Sequence, residues 1–159
     1  MGVSGSGKTT LGQALAQALG RPFIEGDRLH PPANLAKMAS GIALTDEDRR
    51  PFLDNVAQAL RAAPGPAVAS CSALKRVYRD RLRTVAGRIL FVMSRLTRAE
   101  LEQRMARRSG HFMPASLLES QLATLEPPEA DEDALLIDGA LALEDQVAHL
   151  LAALAARER

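Results

Sequence analysis

The chain has 159 residues and few aromatic ones: no tryptophan, one tyrosine and four phenylalanines. Its core must therefore be aliphatic, with helices packed through the abundant alanine. A single cysteine, Cys71, excludes an internal disulfide and fits a reducing compartment. No apolar run is long enough to span a bilayer and no signal peptide is visible, so the compartment expected is the cytoplasm. Charge of either sign is not in excess. Lys+Arg 20 against Asp+Glu 19 leaves a net charge of +1, which points to neither nucleic acid nor a membrane surface as partner. No His/Cys/Asp cluster has the spacing of a metal site, which argues against structural zinc. There is no internal repeat and no low-complexity tail. The length suits one domain, residues 1–159.

What is present is concentrated at the start. Gly2-Val3-Ser4-Gly5-Ser6-Gly7-Lys8-Thr9 matches the phosphate-binding pattern G-x-x-x-x-G-K-[ST] in full. Glycines let the backbone approach a polyphosphate at positive φ, and successive N–H groups form an anion-binding nest. In this pattern Lys8 reaches the β- and γ-phosphates of ATP, and the Thr9 hydroxyl binds Mg²⁺. Thr9 and Thr10 also open a helix, whose N-terminal partial charge favours the same anion. A flexible Gly/Ser linker would need neither Lys8-Thr9 nor the helix that follows.

Downstream, strand and helix signals alternate. Leu11, Leu15, Ala18 and Leu19 recur at helical spacing, with Gly20 and Pro22 as stops. The run 22–26 reads as a short strand ending at Asp27. A breaker-rich segment follows, with a short helix near 33–39. Thr45 opens a helix to about Ala63 through a capping box. Ala67–Cys71 is the next strand, followed by a helix that Ser72 is expected to cap. Arg88–Met93 is a continuous apolar run of the kind buried on both faces. Thr97-Arg98-Ala99-Glu100 opens another capping-box helix. A break at Ser109–Pro114, a helix from Ala115, a strand at Leu135–Asp138 and a helix from Leu143 to Arg157 complete the chain. The alternation predicts an α/β fold, a parallel sheet with helices on both faces. Ligands in such sheets bind at the carboxyl ends of the strands, where the phosphate loop, Asp27, Ser70–Ser72 and Ser94 all fall.

Asp27 is the candidate base, a carboxylate able to accept or orient the proton of an attacking hydroxyl; the plainer alternative is a turn aspartate. Lys75, Arg76 and Arg79 crowd positive charge onto the first turns of a helix, where the helix dipole opposes it. That placement suggests an anionic ligand, the alternative being a solvated basic face. Arg104, Arg107 and Arg108 lie just before a glycine-containing break, as expected for a lid that closes on phosphates; an exposed helix end is the alternative. His111 reads as a hinge or packing residue. Absent are an apolar strand ending in the aspartate that many phosphate-loop NTPases use for Mg²⁺, and the guanine-selecting Asn-Lys-x-Asp. Both absences favour a small-metabolite kinase over switch GTPases and motor ATPases.

These residues carry a resemblance. Gly2–Thr10, Glu25-Gly26-Asp27-Arg28-Leu29-His30-Pro31, Asn34 to Gly41, Leu44 to Pro51, Cys71–Lys75 with Tyr78-Arg79-Asp80, Gly110-His111-Phe112 and Ser120-Gln121 with Leu125-Glu126-Pro127 resemble the gluconokinases of the thermoresistant phosphate-loop type, relatives of shikimate and nucleoside monophosphate kinases. The resemblance implies a three-layer phosphate-loop kinase fold. It also implies transfer of the γ-phosphoryl of ATP, with Mg²⁺, to the 6-hydroxyl of D-gluconate, and often a homodimer. Gly2, Val3, Ser4, Gly5, Ser6, Gly7, Lys8, Thr9 and Thr10 would then hold ATP, and Thr9 the metal. Lys8, Asp27, Arg104 and Arg108 would be catalytic. A segment of about 28–50 would cover the sugar and one of about 104–126 would form the lid. Asp27, His30, Arg49, Lys75 and Arg79 would bind substrate, its carboxylate falling to Lys75, Arg79 or Arg49. Arg50-Pro51-Phe52 stands where Lys-Pro-Trp is common, a departure under the substrate segment. Two other readings stay open: a kinase for shikimate or a nucleoside monophosphate, and a nucleotide-binding module without turnover.

A phosphate loop ordinarily follows a buried strand, yet only Met1 precedes this one. The sequence therefore predicts a kinase fold without its first strand: four strands with a gap beside the loop, or a strand displaced into it. Residues 1–159 are read as an N-terminally shortened form expected to melt without cooperativity and turn over poorly.

Overall fold

The computed structural model describes residues 1–107 and 115–157. Among these, α1 (Lys8–Leu19) leads to β1 (Phe23–Glu25), a 3₁₀ turn (Gly26–Leu29), α2 (Pro32–Ala39) and α3 (Asp46–Ala62). Then come β2 (Val68–Ser70), α4 (Arg76–Ala86), β3 (Phe91–Arg95), α5 (Arg98–Ala106), α6 (Ala115–Thr124), β4 (Ala134–Asp138) and α7 (Leu143–Arg157). Helix ends follow local chemistry. Gly20 takes a left-handed φ of 62° and closes α1. Thr45 and Thr97 each complete a capping box, with Asp48 and Glu100.

The strands are parallel and form two pairs: β1 with β2, Phe23 opposite Val68, and β3 with β4, Phe91 opposite Ala134. The four strands and the interruption beside the phosphate loop match the expected arrangement. Met1 and Gly2 bridge the pairs: the Met1 ammonium donates to the Val92 carbonyl and Gly2 N–H to the Ser72 carbonyl. Between β2 and β3 lies a cavity of about 770 Å³, walled by Leu11, Leu15, Val56, Ala69, Phe91 and Leu150. The core divides accordingly. The larger cluster packs Phe52, Leu53 and Val56 of α3 against Leu74, Tyr78 and Leu82; the smaller joins Leu11 and Leu15 of α1 to Ile137 and Leu150.

One helix start departs from expectation. Ser72 does not cap α4; Lys75 is its N-cap residue. Residues 72–75 instead form a loop in which Ala73, fully buried, takes a φ of 40°. A non-glycine residue in that region is strained, and such strain persists only where surrounding bonds hold it. Here Arg79 supplies them, donating to the carbonyls of Ala73 and Leu74 at 3.2 and 3.3 Å.

Candidate functional site

The phosphate loop turns tightly between Gly2 and α1. Gly7 is the N-cap of α1 at φ 86°, a conformation that suits glycine, and the Lys8 Nζ donates to the Val3 carbonyl at 2.9 Å. The loop is gripped from both sides. A Cβ on Gly5 would sit 2.9 Å from Met105 of α5, and one on Gly7 would sit 3.5 Å from Arg104 Nη1. From α6, Gln121 Oε1 accepts the Ser4 N–H at 2.6 Å. Arg104 is thus brought to the loop, held by a bond to the Gly139 carbonyl at 2.5 Å. Arg107 is exposed at the end of α5. Arg108, Gly110 and His111, and the break around 109–114, lie outside the described residues.

Asp27 lies on the turn after β1, exposed. A close approach fixes this turn: a Cβ on Gly26 would fall 1.9 Å from the Ser70 carbonyl oxygen, so only glycine lets the end of β1 pass the end of β2. Ser70 Oγ ties the two ends, accepting from Gly26 N–H at 3.0 Å and donating to Glu25. Cys71, next along, has its thiol pushed up to about 11 by burial and lies within electrostatic reach of both Lys8 and Asp27. Asp27 follows β1 at its carboxyl end, where ligands of parallel sheets bind.

Around Asp27 the segment 28–50 supplies a wall. His30 stacks flat on Phe52, ring centroids 3.7 Å apart and planes 5° from parallel, where the sequence departs from Lys-Pro-Trp. Burial lowers the His30 pKa to about 4; the nearby Asp27 charge raises it and Arg49 lowers it further. Asn34, 3 % exposed, bonds both His30 and the Asp48 carbonyl.

The three candidates for a carboxylate partner separate cleanly. Arg79 is not in the crevice. It is fully buried and paired fork to fork with Glu132 at 2.6 and 2.7 Å, and its Nη1 donates to three backbone carbonyls. The assignment of Arg79 to substrate is corrected: the acidic loop after Pro128 claims it. The same loop pairs Arg76 with Glu129 and Asp131, so the crowded charge at the start of α4 is neutralised within the chain. Lys75 pairs with Asp46 at 2.9 Å, and Tyr78 donates to the same carboxylate, which is held below the usual range by these two bonds, the Tyr78 bond first. Arg49 is different. It is 7 % exposed, lies 5.9 Å over the Tyr78 ring, and its Nε has no hydrogen-bond partner among the described residues. No carboxylate pairs with it there either. The Asp46 carboxylate is within electrostatic reach of Arg49 without bonding it, so the buried Nε–H stays unsatisfied among the described residues, and an acceptor on a ligand would satisfy it.

Helix α6 packs onto the phosphate loop and the body of the fold. Leu117 and Leu118 are buried, Gln121 holds the loop, and Glu126 is bonded by Leu74 and by Arg76 and Arg79. Motif reading alone did not single out Asn34, Gln121 or Glu132. The first two fall inside matched segments, and Glu132 looked like one more residue of an acidic loop.

A phosphate loop gripped by Met105 and Arg104 of α5, at the ends of parallel strands flanked by helices, defines the class: a phosphate-loop kinase fold. Residues 1–128 match the family model described as "AAA domain". The chain is 50 % identical over 160 residues to a gluconokinase of Gluconobacter oxydans (strain 621H), covering 96 % of this chain and 89 % of that one. It is 46 % identical to the thermosensitive gluconokinase of Escherichia coli (strain K12), covering 87 % and 76 %. A crystal structure of a gluconokinase from Sinorhizobium meliloti 1021 superposes with a TM-score of 0.89 at 52 % identity, covering 98 % and 89 %. The chain belongs to the gluconokinase family.

Proposed function

We propose that this protein transfers the γ-phosphoryl group of ATP to the 6-hydroxyl of D-gluconate, giving 6-phosphogluconate. The observation that carries the acceptor half is Arg49, a buried guanidinium whose Nε has no hydrogen-bond partner and which bonds no carboxylate among the described residues, within electrostatic reach of His30, itself within reach of Asp27. A sugar acid supplies both things this site wants: a carboxylate for Arg49 and hydroxyls for His30 and Asp27. Lys75, already paired, borders the site through Asp46 and Tyr78.

On the donor side, residues Gly2–Thr10 cradle the phosphates. Lys8 and Arg104 bring positive charge to where the transferred group gains negative charge. Asp27 takes the proton as the 6-hydroxyl attacks phosphorus and the bond to the leaving ADP oxygen breaks. The donor chemistry of the loop fits the metal that such transfer uses: the Thr9 hydroxyl, a hard oxygen in the first turn of α1 beside the phosphate loop, would hold Mg²⁺. Mg²⁺ when bound neutralises phosphate charge. Arg108 joins the catalytic set by its place in the sequence. We also infer a cytoplasmic homodimer without nucleic-acid or membrane partners, from the family resemblance and the balanced charge.

A coupled ADP-release assay tests the reading. Gluconate should give turnover that shikimate, AMP and a no-substrate control do not. Turnover on shikimate or AMP without gluconate would overturn it.

A further inference from the structure

Asn34 sits in the first turn of α2, buried, and its side chain has two partners. Its Nδ2 donates to the Asp48 carbonyl at 2.7 Å. A carbonyl only accepts, so the amide nitrogen, not the oxygen, must occupy that place. The same nitrogen lies 3.4 Å from His30 Nδ1. Its remaining hydrogen can meet Nδ1 only if Nδ1 carries a lone pair; a protonated Nδ1 would set two N–H groups head to head. Stacking on Phe52, itself 1 % exposed, holds the ring in this orientation. The proton of the neutral ring is then on Nε2, and no described residue accepts from it. The charged groups within reach of the ring are Asp27 and Arg49; the Asp48 carboxylate is turned to Lys37, and only its backbone carbonyl meets Asn34.

We propose that Asn34 locks His30 as the Nε2–H tautomer, making His30 a hydrogen-bond donor to a hydroxyl of the acceptor substrate and removing it as a competing base. Asn34 is the positioning residue and His30 the specificity residue. This rests on the acceptor site described above. It deepens that reading by giving the site three distinct functions for a polyhydroxy acid. Arg49 takes the carboxylate, His30 Nε2–H takes a hydroxyl oxygen, and Asp27 alone takes the proton of the reacting hydroxyl. Lowering of the His30 pKa by burial agrees with a ring that stays neutral at the working pH.

The test begins with the unaltered full chain, labelled with ¹⁵N. Long-range ¹H–¹⁵N correlation separates the two tautomers and the imidazolium. The chain has three histidines, and His30→Gln assigns the resonance. The expected result is an unprotonated Nδ1 and protonated Nε2 from neutral pH down to about pH 5. A proton on Nδ1, or an imidazolium at neutral pH, would overturn the proposal. Asn34→Asp gives up the donation to the Asp48 carbonyl and offers Nδ1–H an acceptor, which turns Nε2 of a neutral ring, checked by the same ¹⁵N spectrum, into an acceptor. KM for gluconate should rise about tenfold, the worth of one hydrogen bond, with KM for ATP unchanged and kcat changed less. A flipped tautomer with wild-type KM for gluconate would sink the donor role. Should Asn34→Asp not fold, His30→Phe keeps the stack without the donor and decides the same point. Failure of the gluconate reading is distinguishable: it leaves the tautomer intact and shows as no turnover with gluconate.

Discussion

Arg79 and Glu132 form a fork-to-fork pair in which both side chains are out of contact with water, at 0 and 1 % exposure. The pair stands behind the crevice and holds together the strained Ala73 loop, the end of α6 and the acidic loop. Arg79→Met would leave the buried Glu132 with only the Glu129 N–H and Arg83, 3.6 Å away, and free the carbonyls of Ala73, Leu74 and Glu126. It should cost about 3–5 kcal/mol in denaturant unfolding. Adding Glu132→Leu should recover only part of this, since the carbonyls stay unpaired.

Acid stability should fall in two stages. Burial puts the His30 pKa at about 4 against an ordinary 6.5, so the unfolded chain binds the extra proton and stability declines as pH drops through that window. The Arg79 guanidinium holds Glu132 at about 2 against 4.5, so its contribution is full above about 4.5 and is lost as pH falls toward 2. Urea midpoints against pH should show both limbs, and His30→Gln should remove only the upper one.

Lys8→Ala should abolish phosphoryl transfer and leave the fold largely intact, because its charge is needed where phosphate charge develops. Steady-state kinetics beside a thermal melt checks both halves. A kcat near wild type would remove the loop from the mechanism.

Asp27→Asn keeps shape and hydrogen bonding but cannot accept the hydroxyl proton. The expected loss in kcat is ~10²–10⁴-fold with little change in ATP affinity. A rise confined to KM for ATP would make Asp27 a metal-side residue.

Gln121→Leu removes the acceptor of the Ser4 N–H while keeping the apolar stem on α6. KM for ATP should rise about five- to tenfold, the loss of one hydrogen bond, with unfolding free energy changed by no more than about 1.5 kcal/mol. Unchanged ATP binding would show that the contact does not shape the loop.

Some of this protein was settled by local chemistry and so could be read along the chain. A phosphate loop is a backbone motif, and its glycines, Lys8 and Thr9 act within a few residues of one another. The capping boxes at Thr45 and Thr97, the stop at Gly20 and the helix 143–157 depend on neighbours three or four positions away. Parallel pairing of the strands followed from alternation. The roles of the cations did not follow. Lys75, Arg79 and Arg49 have the same charge and similar local settings. What separates them is a carboxylate 29 residues away bonded to Lys75, one 53 away bonded to Arg79, and no bonded carboxylate among the described residues for Arg49. Charge is a property of the residue, but whether it is already neutralised, and whether water can reach it, depends on which distant segments pack against it. Only the tertiary structure decided that, and it made Arg79 a support for the fold and left the buried Arg49 Nε unsatisfied among the described residues.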